Sequence, residues 1–221
     1  MEKNKYLISQ CQRKYEREKY DDYYYDNEYW KEDLKGKHGN KGRSYNDPNH
    51  FRRFSFLSKL LMKYFDFKNF LDAGCGMGIL VDILNQNKIN SFGFDVSKFA
   101  FKHARLNNNS CIINGSIECI PFKNSNFDLV FCSDVLEHIP CFDIRASIIE
   151  LSRVSKKFIV ATINMDNPYL YHPTILSRSS WNYLFKITGT LKHKKSLEQL
   201  IETECKEVYP EYEFFVYEKI V

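Results

Sequence analysis

The sequence predicts an α/β fold: a mainly parallel sheet with helices on both faces. Three observations lead there. Apolar strand-like runs alternate with amphipathic helical periods from residue 54 onward, glycines cluster between the first such strand and its helix, and an acid closes the following strand. The chain has 221 residues, 43% of them hydrophobic, enough to fill the core of one domain. With 27% charged residues and no apolar run near the roughly 20 residues of a membrane span, a soluble protein without membrane insertion is expected, in line with a mean hydropathy of −0.47. The opening MEKNKYLISQCQRK carries charge where a secretory signal has an apolar centre, so a cytoplasmic location is expected.

Residues 1–53 form a separate segment ahead of a main domain at 54–221. Charges of alternating sign surround Tyr15, Tyr20, Tyr23, Tyr24, Tyr25, Tyr29 and Trp30. Such a stretch packs its aromatics on the main domain as a solvated amphipathic helix and tail, or serves as a lid over a substrate, and both can hold at once. A basic, glycine-spaced loop follows at 35–43.

The main domain starts with a helix at 54–64, which puts Phe56, Leu57, Leu60, Leu61 and Tyr64 on one face. A strand at 70–73, a glycine turn and a helix at 79–86 come next. A strand at 91–95 then leads to a helix capped by Ser97. Strands at 111–114 and 127–132, a helix at 144–154 and a strand at 158–162 continue the alternation. Helices at 180–187 and 197–204, a short strand near Val208 and a closing strand at 213–217, antiparallel at or near an edge, complete it.

Seven cysteines, with no CxxC pair, argue against a disulfide framework or a structural zinc site. The formal charge of +4, from 32 basic and 28 acidic residues, is too balanced to mark a polyanion-binding face, and no nucleic-acid partner is expected. The run Lys192-His193-Lys194-Lys195 is too short to supply one and reads as a loop or helix cap.

Three of the nine glycines lie in Leu71-Asp72-Ala73-Gly74-Cys75-Gly76-Met77-Gly78. Glycines there let the chain turn sharply off the strand and let a ligand approach the backbone, while the helix start offers unpaired N–H donors. Asp95 ends the next strand, where a carboxylate can accept both hydroxyls of an adenosine ribose.

At these residues the chain resembles the class I S-adenosylmethionine-dependent methyltransferases, from about residue 70 to 162. Asp72 to Gly78 match the family's D-x-G-C-G-x-G, and Asp95 its ribose acid. Ser116 and Ile117 match its adenine-flanking pair, and Asp134-Val135-Leu136-Glu137-His138 its segment after the fourth strand. Dinucleotide-binding proteins share the glycine turn but not that later segment, so nicotinamide is the weaker cofactor reading. The resemblance implies a Rossmann-like, seven-stranded, mainly parallel sheet with an antiparallel strand near its edge. It implies S-adenosylmethionine as cofactor and S-adenosylhomocysteine as product, held by Asp72, Ala73, Gly74, Cys75, Gly76, Gly78, Asp95, Val96, Ser116, Ile117, Ser133, Asp134 and Leu136.

A sulfonium carries its own activation, so the protein supplies alignment, desolvation and, for an alcohol acceptor, a base. No metal is required, and none is expected. His172, in Tyr169-Leu170-Tyr171-His172-Pro173, and His138 are the candidate bases. Either histidine has a plainer reading, as a fixture of its loop. Tyr45, His50, Arg53, Asn164 and Trp181 are candidate acceptor contacts. His50, Arg43 and Arg53 would clamp a phosphate or carboxylate, or else form ion pairs with the acidic N-terminal segment.

Residues 43–53, His172-Pro173 with Ser180-Trp181, and Tyr212-Glu213-Phe214-Phe215 resemble small methyltransferases of surface-polysaccharide clusters. That resemblance implies O-methylation of a sugar, a phosphorylated precursor or a related small metabolite by a monomer or homodimer. An RNA or protein methyltransferase, and a donor-binding module without turnover, are the alternatives. Asp166-Asn167-Pro168-Tyr169 is set aside as an amino-methylating element, because it follows the fifth strand and not the fourth.

Overall fold

In the computed structural model, the described residues are 48–104, 111–165, 172–206, 208, 210 and 213–220. The tyrosine-rich segment, the basic loop, Tyr45 and the 166–169 run lie outside them. Helix α1 (Pro48–Tyr64) opens on a proline, which lacks only an N–H that the first helical turn would leave unpaired. It buries Leu57, Leu60 and Leu61, with Phe56 and Tyr64 half-buried beside them. The helix is continuous across residues 53 and 54, so the division placed there falls within one element.

Next come β1 (Asn69–Ala73), α2 (Ile79–Gln86), β2 (Asn90–Asp95), α3 (Lys98–His103) and β3 (Ile112–Asn114). After them come β4 (Phe127–Ser133), a 3-10 turn at Leu136–His138, α4 (Ile144–Val154), β5 (Ser155–Ile163), α5 (Arg178–Lys186), β6 (Leu191–His193), α6 (Lys195–Cys205) and β7 (Glu213–Lys219). The seven strands run in the order β3-β2-β1-β4-β5-β7-β6. Strands β1 to β5 pair in parallel, and β7 is antiparallel to both β5 and β6. Leu71 stands opposite Phe92 on one side and Val130 on the other.

Successive strand residues point to opposite faces, so near-continuous apolar runs fill two cores. Leu71, Ala73, Val130 and Cys132 pack on one face against Ile144, Ile148 and Leu151 of α4 and Trp181 and Phe185 of α5. Phe70, Leu129, Phe131 and Val160 pack on the other against α1, α2 and α6.

Two expectations are corrected here. Val208 lies in a turn, and the sixth strand is Leu191–His193, so the basic run closes the sheet edge and starts α6. Lys194 N–H donates to the Val216 carbonyl at 2.8 Å, fixing that junction. Trp181 is completely enclosed, one turn before Phe185 on the core face of α5, so it packs the interior and does not reach an acceptor. Its indole N–H has no partner among the described residues. On the other side of α5, the Arg178 guanidinium binds Glu198 at 2.6 Å and also Glu202 and Glu213, tying α5, α6 and β7 together.

Candidate functional site

The site lies along the carboxyl ends of the parallel strands, where open α/β sheets place ligands. After β1 the chain turns through Gly74, Gly76 and Gly78, with φ of 82°, 52° and 77°. The N–H groups of Gly74 and Cys75 both donate to the Phe94 carbonyl, at 2.9 and 3.0 Å, so the turn is stitched to β2. A Cβ on Gly74 would stand 2.3 Å from Val135 Cγ2. The segment after β4 therefore seats directly in the concavity of the glycine turn. Gly93 plays a similar part beneath it, since a Cβ there would lie 2.7 Å from Cys75 Sγ. No side chain caps α2 at Gly78, so its first-turn donors face the site.

Asp95 is buried at the end of β2. One carboxylate oxygen accepts from Gly76 N–H and the other from Ser97 N–H, each at 2.8 Å. The residue expected at a ribose thus also holds the glycine turn against α3, whose start Ser97 caps through Ala100 N–H at 3.0 Å. Asn114 donates to the carbonyls of Asp95 and Val96 at 2.9 and 3.0 Å, fixing the strand ends side by side.

Asp72 is buried next to this carboxylate. Burial first, and then the charge of Asp95, push its carboxyl from 3.8 up to about 8. The unfolded chain releases that proton near pH 4 and the folded chain holds it until about pH 8, so this contribution to stability is full below pH 4 and is lost as pH rises to 8. Asp72→Asn is expected to flatten that decline and stabilise the unliganded protein at pH 8 by about 1–2 kcal/mol, once relaxation and water entry are allowed for. Thermal midpoints of the two proteins at pH 4.5 and pH 8 check this.

Ser116 donates to Glu118 at 2.6 Å, and Ile117 is buried beside Phe94. The Ser133 and Thr162 hydroxyls, at the ends of β4 and β5, bond at 2.7 Å. Asp134 takes a left-handed conformation, φ 54°, and its N–H donates to the Thr162 carbonyl at 3.1 Å. Ala73 and Leu136, expected at the cofactor, are fully enclosed. Their contribution is packing beneath the cleft, because neither presents surface to a ligand.

Behind this row, Glu137 is entirely buried. Burial, reinforced by the Asp134 charge, pushes its carboxyl well above the usual range. Oε1 accepts from Asn164 N–H at 2.9 Å, while Oε2 has no hydrogen-bond partner among the described residues. Thr174 clamps the neighbouring backbone: its N–H donates to the Glu137 carbonyl at 3.2 Å and its hydroxyl to the Ile139 carbonyl at 2.6 Å. These contacts dock the segment after β5 on the segment after β4. They bring the two candidate bases together, with the His138 and His172 rings 4.5 Å apart and perpendicular.

Sequence reasoning missed Thr174 and Thr162, which are single hydroxyl residues without a motif, and gave Glu137 no role beyond the Glu-His pattern. Asn164 holds Glu137 through its backbone. Arg53 is half-buried in α1, His50 contributes helical backbone there, and Tyr45 is outside the described residues.

The strand order, the inserted antiparallel β7, the glycine turn and the acid ending β2 define a class I methyltransferase fold. Residues 71–158 match the family described as "Methyltransferase domain". An uncharacterized protein of Methanocaldococcus jannaschii is 33% identical over 116 residues, 52% of this chain and 50% of its own length. A ubiquinone biosynthesis O-methyltransferase of Nitrosospira multiformis is 27% identical over 156 residues, 65% of this chain and 60% of its own. The chain thus spans about half to three-fifths of these relatives. The crystal structure of magnesium protoporphyrin IX methyltransferase from Synechocystis with bound S-adenosylmethionine superposes with a TM-score of 0.59 at 16% identity, over 90% of this chain and 94% of that one. Among the described residues, no helix is long and apolar enough to cross a membrane.

Proposed function

We propose that the protein transfers the methyl group of S-adenosylmethionine to an oxygen of a small acceptor. The observation that carries this reading is the glycine turn seated on Val135 and locked by Asp95 to the Gly76 N–H, within the region matching the methyltransferase family. Asp95 keeps acceptor capacity for the ribose hydroxyls, because a carboxylate offers about four lone-pair positions. The uncapped start of α2 and the glycine backbone receive the methionyl end. Ser116, Ile117, Ser133 and Asp134 border the adenine.

The acceptor enters from the ends of β4 and β5, where His138 and His172 activate its hydroxyl. Its oxygen then attacks the methyl carbon in line as the carbon–sulfur bond breaks and sulfur keeps the electron pair. The name of the Nitrosospira relative supports oxygen as the accepting atom. A sugar, a phosphorylated precursor or a related metabolite of surface-glycan synthesis is the acceptor class we favour, with Arg53 on α1 and Asn164 after β5 as contacts. A cytoplasmic location agrees with that substrate class.

Calorimetry with S-adenosylhomocysteine tests the donor site. The wild-type chain is expected to bind it, and Asp95→Ala to bind it more weakly by about 1.5–3 kcal/mol, roughly ten- to a hundredfold. An absence of binding heat in the wild-type protein overturns the reading.

A further inference from the structure

We propose that Glu137, His138 and His172 bind one divalent transition-metal ion of the zinc class. Each offers one ligand atom, and these atoms lie within 4.8 Å of one another. Zinc-to-nitrogen bonds of about 2.1 Å place tetrahedral ligands about 3.4 Å apart, so small side-chain rotations close the set. The carriers are already fixed: Asn164 N–H holds Glu137 Oε1, and Thr174 bonds the backbone at Glu137 and Ile139.

The independent pointer to a cation is Glu137 Oε2, which is fully buried and has no hydrogen-bond partner among the described residues. An unmatched carboxylate oxygen in the interior is costly, and a bound cation removes that cost. Two imidazoles and one carboxylate leave coordination positions open, as in donor sets that bind a substrate at the metal. Spacing in the chain does not connect these residues, since His138 follows β4 and His172 follows β5.

The purpose of the ion rests on the methyl-transfer reading. An acceptor hydroxyl bound at an open position gives its proton to water more easily. The resulting alkoxide oxygen bonds to the methyl carbon as that carbon's bond to sulfur breaks, and the electron pair remains on sulfur. His172 is then a ligand that positions the acceptor and not the proton's first carrier.

The test is a Co²⁺ titration of the chelator-treated full chain, read by visible d–d absorption, beside calorimetry with S-adenosylhomocysteine. One saturable equivalent is expected. Glu137→Gln and His172→Ala are each expected to weaken it by about tenfold or more while S-adenosylhomocysteine affinity stays unchanged. No saturable band, a band insensitive to both substitutions, or thiolate-to-cobalt charge transfer in the near ultraviolet overturns the site. Cobalt binding without S-adenosylhomocysteine binding supports the site and overturns the methyl-transfer reading; the reverse result overturns the site alone.

Discussion

His172→Ala is expected to lower methyl transfer by about 10²–10⁴-fold while S-adenosylhomocysteine binds as tightly as before. The split follows from position. His172 stands against the His138 ring, on the segment that Thr174 fastens after β5, whereas the glycine turn and Asp95 lie after β1 and β2. Radiolabelled donor, incubated with a panel of sugar and phenol acceptors, measures the first quantity and calorimetry the second. Full turnover in the variant removes His172 from the chemistry. A parallel loss of donor binding means that the substitution has deformed the cleft. Thr174→Val separates these cases, because it removes the 2.6 Å bond to the Ile139 carbonyl and leaves both imidazoles present. It is expected to reduce turnover by less than His172→Ala.

The second large effect is expected at Gly74. Gly74→Ala places a methyl group 2.3 Å from Val135 Cγ2 on a backbone with φ of 82°, so it carries both a collision and a conformational penalty. A loss of about 3 kcal/mol in stability is expected, with weaker donor binding as the turn opens. The two causes separate in a double-mutant cycle. Val135→Ala removes the colliding methyls, leaving a Cβ at 3.4 Å. The double variant is therefore expected to recover most of the loss, keeping roughly 1 kcal/mol for the left-handed residue. Urea unfolding of the four proteins provides the measurement, and strict additivity refutes the proposed contact.

The helices Ile79–Gln86 and Ile144–Val154 were legible in the sequence because their apolar periods are long enough to define a face. The glycine turn was legible because its residue types are demanded by backbone geometry. Strand Leu191–His193 was not: it has three residues, only the first is apolar, and its pairing with Lys219 to Tyr217 is set by distant chain. Trp181 shows a different limit. Its one-turn spacing from Phe185 is a core signal, whereas the resemblance marked it as an acceptor contact. The meeting of His138 with His172 depends on hydrogen bonds from Thr174 to carbonyls after β4, and no local pattern encodes such contacts.

The placement of β7 between β5 and β6 has a consequence for biosynthesis. A polypeptide emerging from the ribosome exposes β5 with one side unpaired until residues 213–219 have been made, because the partner of that side is β7, which follows it by about 50 residues. Until then Ile159, Val160, Ala161 and Ile163 present a bare apolar ribbon to solvent, a template for mispairing between nascent chains. Slow translation through 165–212 would prolong that exposure, so codon choice over this stretch should influence the yield of native protein.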